Sequence, residues 1–297
     1  MPGVACIGEC MVELRETAGG LLSRGFGGDT LNTAIYLARS GIPVDYVTAL
    51  GADRWSDDMV TAWAAEKVGV AEVRRIPDRE SGLYLITTDA SGERKFRYWR
   101  DASAARLLFD LPDGEALVDR LATYDVLYFS GITLSIFAPA ARAKLLEAAA
   151  RTRAAGRRVV FDTNFRPRGW PDREEARRVF RTAMANADLV FASTEDLDLL
   201  YGGLTVFAEA TAGRESVLKR PDLSCEVAGY GVVAGTPSSR VVDTTAAGDS
   251  FAAAYLAARL NGATPDAAAR AGHRLASVVV EYPGAIIPIS AMPAVTS

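Results

Sequence analysis

One histidine, His273, serves a chain of 297 residues, and neither G-x-S-x-G nor H-E-x-x-H occurs. Histidine-based triads and zinc-hydrolase motifs are thereby excluded, and carboxylate chemistry is favoured by elimination. The three cysteines, Cys6, Cys10 and Cys225, are odd in number and show neither a C-x-x-C pair nor zinc-site spacing. They imply no disulfide framework and no protein-held metal site, and a reducing cytoplasm fits. Four residues are lysine, Lys67, Lys95, Lys144 and Lys219, so nearly all of the 33 basic residues are arginine and a single arginine carries little information. The net charge of −4 argues against a general nucleic-acid binder, which must neutralise many phosphates. No apolar run reaches the ~18 residues of a membrane span, so a cytoplasmic protein without membrane partners is expected. G-x-x-x-x-G-K-[ST] is missing too, which removes the P-loop reading.

What remains is an ordinary globular composition, 49% hydrophobic and 24% charged. Val4 to Gly8 reads as a buried strand and Thr30 to Ser40 as a helix with Leu31, Ala34, Ile35 and Ala38 on one face. Val44 to Leu50 is a strand and Met59 to Val68 a helix, the rhythm of a layered α/β fold. Short extended runs follow at Glu72 to Ile76, Gly82 to Thr88 and Arg94 to Arg100, broken by the turn residues Pro77-Asp78 and Asp89-Ala90-Ser91-Gly92. They predict an antiparallel insert. From Glu115 the alternation returns, with strands at 126–130, 159–162 and 189–192 and helices at 139–155 and 173–186. No repeat or long linker divides the chain, so one domain over 1–297 with an excursion is expected.

The most informative segment is Asp243-Thr244-Thr245-Ala246-Ala247-Gly248-Asp249-Ser250-Phe251. Phe251, Tyr255, Leu256 and Leu260 fall close to helical spacing and Gly262 closes the run, so a small-residue turn feeds a helix. Ala246, Ala247 and Gly248 have almost no side chain, and their N–H groups are free to approach an anion where the helix dipole is positive. Asp249, in the first turn, is placed to take a proton from a substrate hydroxyl while those groups hold a transferring phosphoryl group. The competing reading is that Asp249 only caps its helix.

A second site is Gly25-Phe26-Gly27-Gly28-Asp29-Thr30-Leu31-Asn32, where paired glycines admit a ligand to the backbone and the next helix brings Asp29 and Asn32 to the same opening. A tight turn capped by Asp29 or Thr30 is the alternative. In the insert, period-2 alternation puts Phe96, Tyr98 and Arg100 on one face, and the neighbouring run offers Tyr84. Two tyrosines and an arginine suit a polyol that bears a carboxylate, whereas an exposed sheet or a subunit contact needs no such ligand. Exposed strands of this kind invite pairing between copies, so a homo-oligomer is expected. Finally, Phe161-Asp162-Thr163-Asn164-Phe165-Arg166 follows a strand at the end where open α/β sheets bind ligands. Arg166 there either adds positive charge at the reaction centre or pairs with a nearby carboxylate.

Asp243 to Asp249 resembles the D-T-x-G-A-G-D signature of the ribokinase-like sugar kinases, the phosphofructokinase-B superfamily, with Ala246 in place of its first glycine. Gly27-Gly28 through Asn32 resembles the family's G-G-x-x-x-N, and Asp162, Asn164, Arg166 and Trp170 its D-x-N-x-R-x-x-x-W. The resemblance implies a three-layer α/β/α sandwich with a central mostly parallel sheet and a small β lid, formed by excursions at 11–25 and 72–101. It implies an enzyme using ATP and Mg, with Asp249 as base, an anion hole from Ala246, Ala247 and Gly248, and assistance from Arg166. Gly28, Asp29, Asn32, Tyr84, Tyr98 and Arg100 would contact the sugar, and Ser193, Lys219, Ala246, Gly248 and His273 the nucleotide. Ser193 and Asp196 stand at a degenerate N-x-x-E motif, Pro221 departs from the usual K-x-G, and His273 also fits a purely structural role. The variant D-T-T-A-A-G-D-S-F, together with Gly82-Leu83-Tyr84 and Tyr98-Trp99-Arg100, is similar to the branch that phosphorylates 2-keto-3-deoxygluconate at its 6-hydroxyl. The partners implied are a small sugar acid and ATP. A fructokinase-like enzyme, or a non-catalytic sugar-binding relative, is the alternative.

Overall fold

The computed structural model describes residues 3–88, 94–235 and 237–293. The chain opens with β1 (Val4–Ile7), β2 (Met11–Glu16), β3 (Leu22–Gly27), α1 (Asp29–Arg39), β4 (Val44–Gly51), α2 (Arg54–Ala65), β5 (Val73–Ile76), β6 (Leu83–Thr88) and β7 (Arg94–Trp99). It continues with α3 (Gly114–Leu121), β8 (Val126–Ser130), α4 (Gly131–Ile136), α5 (Pro139–Ala154), β9 (Arg158–Asp162), α6 (Arg173–Asn186), β10 (Leu189–Ser193) and α7 (Thr194–Tyr201). Then come α8 (Thr205–Ala210), β11 (Glu215–Lys219), β12 (Cys225–Val227), β13 (Gly231–Val233), α9 (Ala247–Leu260) and α10 (Pro265–Val279).

Nine strands form one sheet in the order β13-β12-β11-β10-β9-β8-β1-β4-β5. Neighbours from β11 across to β5 are parallel, and β12 and β13 close one edge in antiparallel fashion. Parallel strands covered on both faces need apolar residues in succession, which is why Val4-Ala5-Cys6-Ile7 and Val126-Leu127-Tyr128-Phe129 are continuous runs. Alternate residues feed two cores. Val4, Cys6, Tyr46, Tyr128, Val160 and Phe191 meet α1, α2, α9 and α10 on one face. Ala5, Ile7, Val47, Phe129, Val159 and Phe161 meet α3, α5 and α6 on the other. The result is the expected three-layer α/β/α sandwich.

A separate four-stranded sheet, ordered β3-β2-β6-β7, has a small core of its own in Met11, Tyr84, Ile86 and Phe96. Two boundaries and one strand direction differ from expectation. Residues 73–76 do not belong to this insert, because β5 pairs in parallel with β4 after the α2 crossover and so edges the main sheet. The first excursion runs beyond 25, since β3 keeps register with β2 as far as Met11↔Gly27. The insert is also not wholly antiparallel, as β2 and β6 run parallel. The turn expected at Asp89-Ala90-Ser91-Gly92 lies outside the described residues. Among the described residues no helix is long and apolar enough to cross a membrane.

One packing feature bears directly on the site. The end of β9 and the loop after it, which carry Asp162, Asn164 and Arg166, are pinned by aromatic rings: fully buried Phe180 of α6 meets Phe161, Phe165 and Trp170 at centroid distances of 5.6, 5.5 and 5.6 Å. Edge-on aromatic contacts of this kind add to the burial of the ring itself. Phe180→Ala is expected to lower folding stability by about 3–5 kcal/mol, as ring deletions in tight cores do, read from the shift of the urea unfolding midpoint.

Candidate active site

Parallel strands deliver their carboxyl ends to one edge of the sheet, which is where ligands bind in open α/β folds. Glu9 follows β1 there, Asp162 ends β9, Ser193 ends β10 and Lys219 ends β11. The first turns of α1 and α9 reach the same place. Asn32 Nδ2 donates to Asp249 Oδ2 at 2.8 Å, Thr33 Oγ1 lies 3.5 Å from the Asp249 carbonyl, and Asn164 Nδ2 donates to Asp29 Oδ2 at 2.9 Å. Lys219 Nζ pairs with Asp162 Oδ2 at 3.4 Å. Three distant sequence motifs thus converge on one centre.

The turn ahead of α9 is braced from below by Asp243, which is buried. Its Oδ1 accepts the Thr245 N–H at 2.9 Å and its Oδ2 the Gly284 N–H at 2.7 Å, with Arg15 Nη1 at 3.4 Å. Ala246 then takes φ 62° and ψ 12°, a left-handed conformation at the helix N-cap. An αL residue followed by αR residues aims successive N–H groups into one concavity, which makes an anion nest. The Ala247 N–H is turned to the Thr244 carbonyl at 3.2 Å, whereas Gly248 lies in the first turn, where no intrahelical acceptor takes its N–H. Lys219 Nζ would stand 3.4 Å from a Cβ on Gly248, so the ammonium overhangs the nest. Backbone dipoles and one cation together form a cradle for a phosphoryl group.

The strand-to-helix turn holds an L-residue where glycine is at ease. Left-handed φ costs alanine roughly 1–2 kcal/mol, and the greater freedom of glycine in the unfolded chain returns roughly 0.4–1 of it. Ala246→Gly is expected to stabilise the fold by about 0.5–1 kcal/mol, measured as a rise in the denaturation midpoint.

Asp249 is held in an unusual protonation balance. Burial first, then the negative charge of Asp29 and of Asp162, push its carboxyl from 3.8 up to about 8, against the Asn32 hydrogen bond and the Lys219 ammonium that favour the ionised form. A carboxylate raised in this way is a competent base near neutral pH, since it binds a proton tightly enough to abstract one. Because the folded state then binds the proton more tightly than the unfolded chain, stability falls as pH rises from about 4 to about 8. Asp249→Asn is therefore expected to be more stable than the parent at pH 9, with the gap closing by pH 4, as measured by urea unfolding. Turnover of the parent should rise with pH through the same group.

The second sheet carries the remaining expected contacts. Tyr84 donates its hydroxyl to Glu13, and that hydroxyl occupies the space beside Gly27, where a Cβ would lie 2.1 Å from it. Tyr98 faces Tyr84 in register with ring centroids 5.9 Å apart. Burial raises the Tyr98 hydroxyl pKa, and the positive charges of Arg100, Arg166 and Arg168 oppose the rise. Arg100 pairs with buried Glu9. Arg166, with a side chain 60% exposed, stands 3.7 Å from Asp196 Oδ1. Both arginines are thus on carboxylates. Gly28 is forced by space, because a Cβ there would lie 2.2 Å from the Glu9 carbonyl oxygen.

On the nucleotide side the expected residues do varied work. Ser193 caps α7 by accepting the Asp196 N–H at 3.1 Å, and Asp196 accepts from Thr163 Oγ1 at 2.8 Å. Lys219 serves the nest. His273 stacks edge-on against Phe251 at 5.0 Å and is held neutral by burial, against a backbone hydrogen bond with Val233, which is how a packed core histidine behaves. Glu9 and Glu13 are the functional candidates that motif reading passed over; a carboxylate just after β1 and another in β2, facing Arg100 and Tyr84, were the available signal.

A family model described as pfkB family carbohydrate kinase matches residues 1–292. The chain belongs to that family. It is 45% identical to the 2-dehydro-3-deoxygluconokinases of Dickeya dadantii (strain 3937) and Escherichia coli (strain K12), over 98% of this chain and 98 and 99% of theirs. Its fold matches that of a Xylella fastidiosa fructokinase solved with bound ATP, at a TM-score of 0.82 and 24% identity, covering 98% of this chain and 94% of that one.

Proposed function

We propose that the chain, acting as one catalytic domain, phosphorylates 2-keto-3-deoxygluconate (2-dehydro-3-deoxygluconate) at its 6-hydroxyl with ATP, giving 2-keto-3-deoxy-6-phosphogluconate. The observation that carries the chemistry is the half-buried Asp249 carboxylate in the first turn of α9 behind the nest, tied by Asn32 to the turn that would hold the sugar. The substrate follows from full-length similarity to relatives bearing that name. In this reading Asp249 accepts the proton of the attacking hydroxyl. The Gly248 N–H, with its neighbours in the turn other than Ala247, whose N–H is taken by the Thr244 carbonyl, and the Lys219 ammonium hold the phosphoryl oxygens and stabilise the charge that gathers there. ATP would supply the phosphoryl group, and an accompanying Mg²⁺ would offset phosphate charge beside the Lys219 ammonium and the turn at Ala246 to Gly248. Among the described residues no cluster of three acidic, histidine or cysteine side chains is arranged to hold a metal. Asp29 and Asn32 position hydroxyls, Tyr84 and Tyr98 cover them, and Arg100 and Arg166 draw in the acid. Ser193 and His273 stand behind the nucleotide pocket rather than in the reaction.

ADP release should be followed across a panel of ketodeoxy acids and neutral sugars. 2-Keto-3-deoxygluconate is expected to be the preferred acceptor, and fructose or ribose used with equal efficiency would sink the acid-sugar assignment. Asp249→Asn should lower kcat by at least ~10²-fold with folding retained, as loss of a general base does; near-normal turnover would remove Asp249 from the mechanism.

A further inference from the structure

We infer that Glu9 sets the affinity for acidic substrates by acting through Arg100: its carboxylate already holds one side of the guanidinium that an incoming carboxylate must use. This rests on the sugar-acid reading above. Glu9 sits at the carboxyl end of β1 with its side chain 1% exposed, and its Oε2 takes Nη2 of Arg100, which is 21% exposed. The pairing uses a single nitrogen. Arg100 Nε and Glu9 Oε1 are both buried and without a partner, whereas the strongest arginine–carboxylate pairing is a two-point fork. Arg100 therefore keeps donors for a second carboxylate while remaining tethered by the first.

The surroundings leave room for that arrangement. A Cβ on Gly82 would lie 2.8 Å from Glu9 Oε1 and 3.2 Å from Arg100 Cβ, so a side chain at this position would crowd the pair. The Glu9 carbonyl lies directly under Gly28 of the sugar-side turn, and the Arg100 guanidinium stands 6.0 Å from the Tyr98 ring. Glu9 thus joins the sugar turn to the acid-reading arginine. Charges in so buried a place are weakly screened, so a guanidinium divided between two carboxylates draws each less strongly than it would draw one. The consequence is looser binding of the ground state, which leaves more of the interaction to be realised as the reaction proceeds. Glu9 is a positioning and specificity residue in this scheme; it does not touch the reacting atoms.

The test is Glu9→Gln, which keeps the shape and an acceptor oxygen for Nη2 but removes the competing charge. KM for 2-keto-3-deoxygluconate is expected to fall about tenfold, on the scale of one charge-assisted hydrogen bond, while KM for ATP stays within about twofold. In an Arg100→Ala background the same change should have no effect on the acid KM. An acid KM that is unchanged or raised by Glu9→Gln, or that moves together with the ATP KM, overturns the inference. Thermal unfolding monitors the fold, and if the Gln variant does not fold, Glu9→Asp decides, since a shorter carboxylate holds Arg100 less closely. It should lower the acid KM alone, and an unchanged value overturns the inference. Failure of the parent protein to phosphorylate 2-keto-3-deoxygluconate would instead overturn the substrate reading and this inference with it. Turnover by the parent with no effect of either Glu9 variant removes only the inference.

Discussion

The hydrogen bond from Asn32 to Asp249 is the interaction on which the site depends. It joins the first turn of α1 to the first turn of α9 across 217 positions of sequence, at 2.8 Å. Asn32 is itself buried, and an amide is the donor such a place permits without adding a charge. One oxygen of Asp249 is thereby fixed. Without that donor, a carboxylate already opposed by Asp29 and Asp162 would be held still further toward its protonated form.

The same logic extends to its neighbours. Asp249, Asp29 and Asp162 crowd one edge of the sheet, and each has a donor drawn from a different element: Asn32 from α1, Asn164 from the loop after β9, and Lys219 from the end of β11. No two of these donors are close in sequence. Like charges in a poorly hydrated cleft repel strongly, so the arrangement persists only because the main sheet holds all three donors in place. The aromatic buttress of Phe180 against Phe161 and Phe165 is part of that restraint, although it makes no polar contact with the site.

Much of this was legible in advance because it is written in local chemistry. Strands buried on both faces must be apolar without interruption, so Val126 to Ser130 was placed to the residue, and the small-residue turn before Asp249 was visible as a helix mouth. What escaped notice depends on partners far away in the chain. Strand β5 has the turn-rich setting of the insert and is claimed by β4 only through register. Helix α4 is too short for a periodic signature and rests on the Ser130–Thr133 capping box. The left-handed turn at Ala246 has no signal in an alanine. The resting partners of Arg100 and Arg166, Glu9 and Asp196, were not legible, because ion pairs between separate loops leave no spacing to read.

Arg15 shows how the two sheets are made to act together. It stands on β2, in the sheet that would cover the sugar, and its Nη2 lies 3.1 Å from Glu13 Oε1 while its Nη1 reaches Asp243 at 3.4 Å. Glu13 also receives the Tyr84 hydroxyl, and Asp243 braces the nest through Thr245 and Gly284. One guanidinium therefore spans from Glu13 of the second sheet to the residue that braces the turn ahead of α9. The Arg15 contact to Asp243 is longer than the 2.9 and 2.7 Å bonds that Asp243 makes to Thr245 and Gly284. A displacement of β2 would consequently stretch the Arg15 link first and leave the backbone bonds that shape the nest intact. The turn at Ala246 thus keeps its own backbone bracing, whereas the second sheet takes part of its seat from Asp243 through Arg15; under the proposed function, the group that would hold phosphate would be formed before the sheet settles over a sugar.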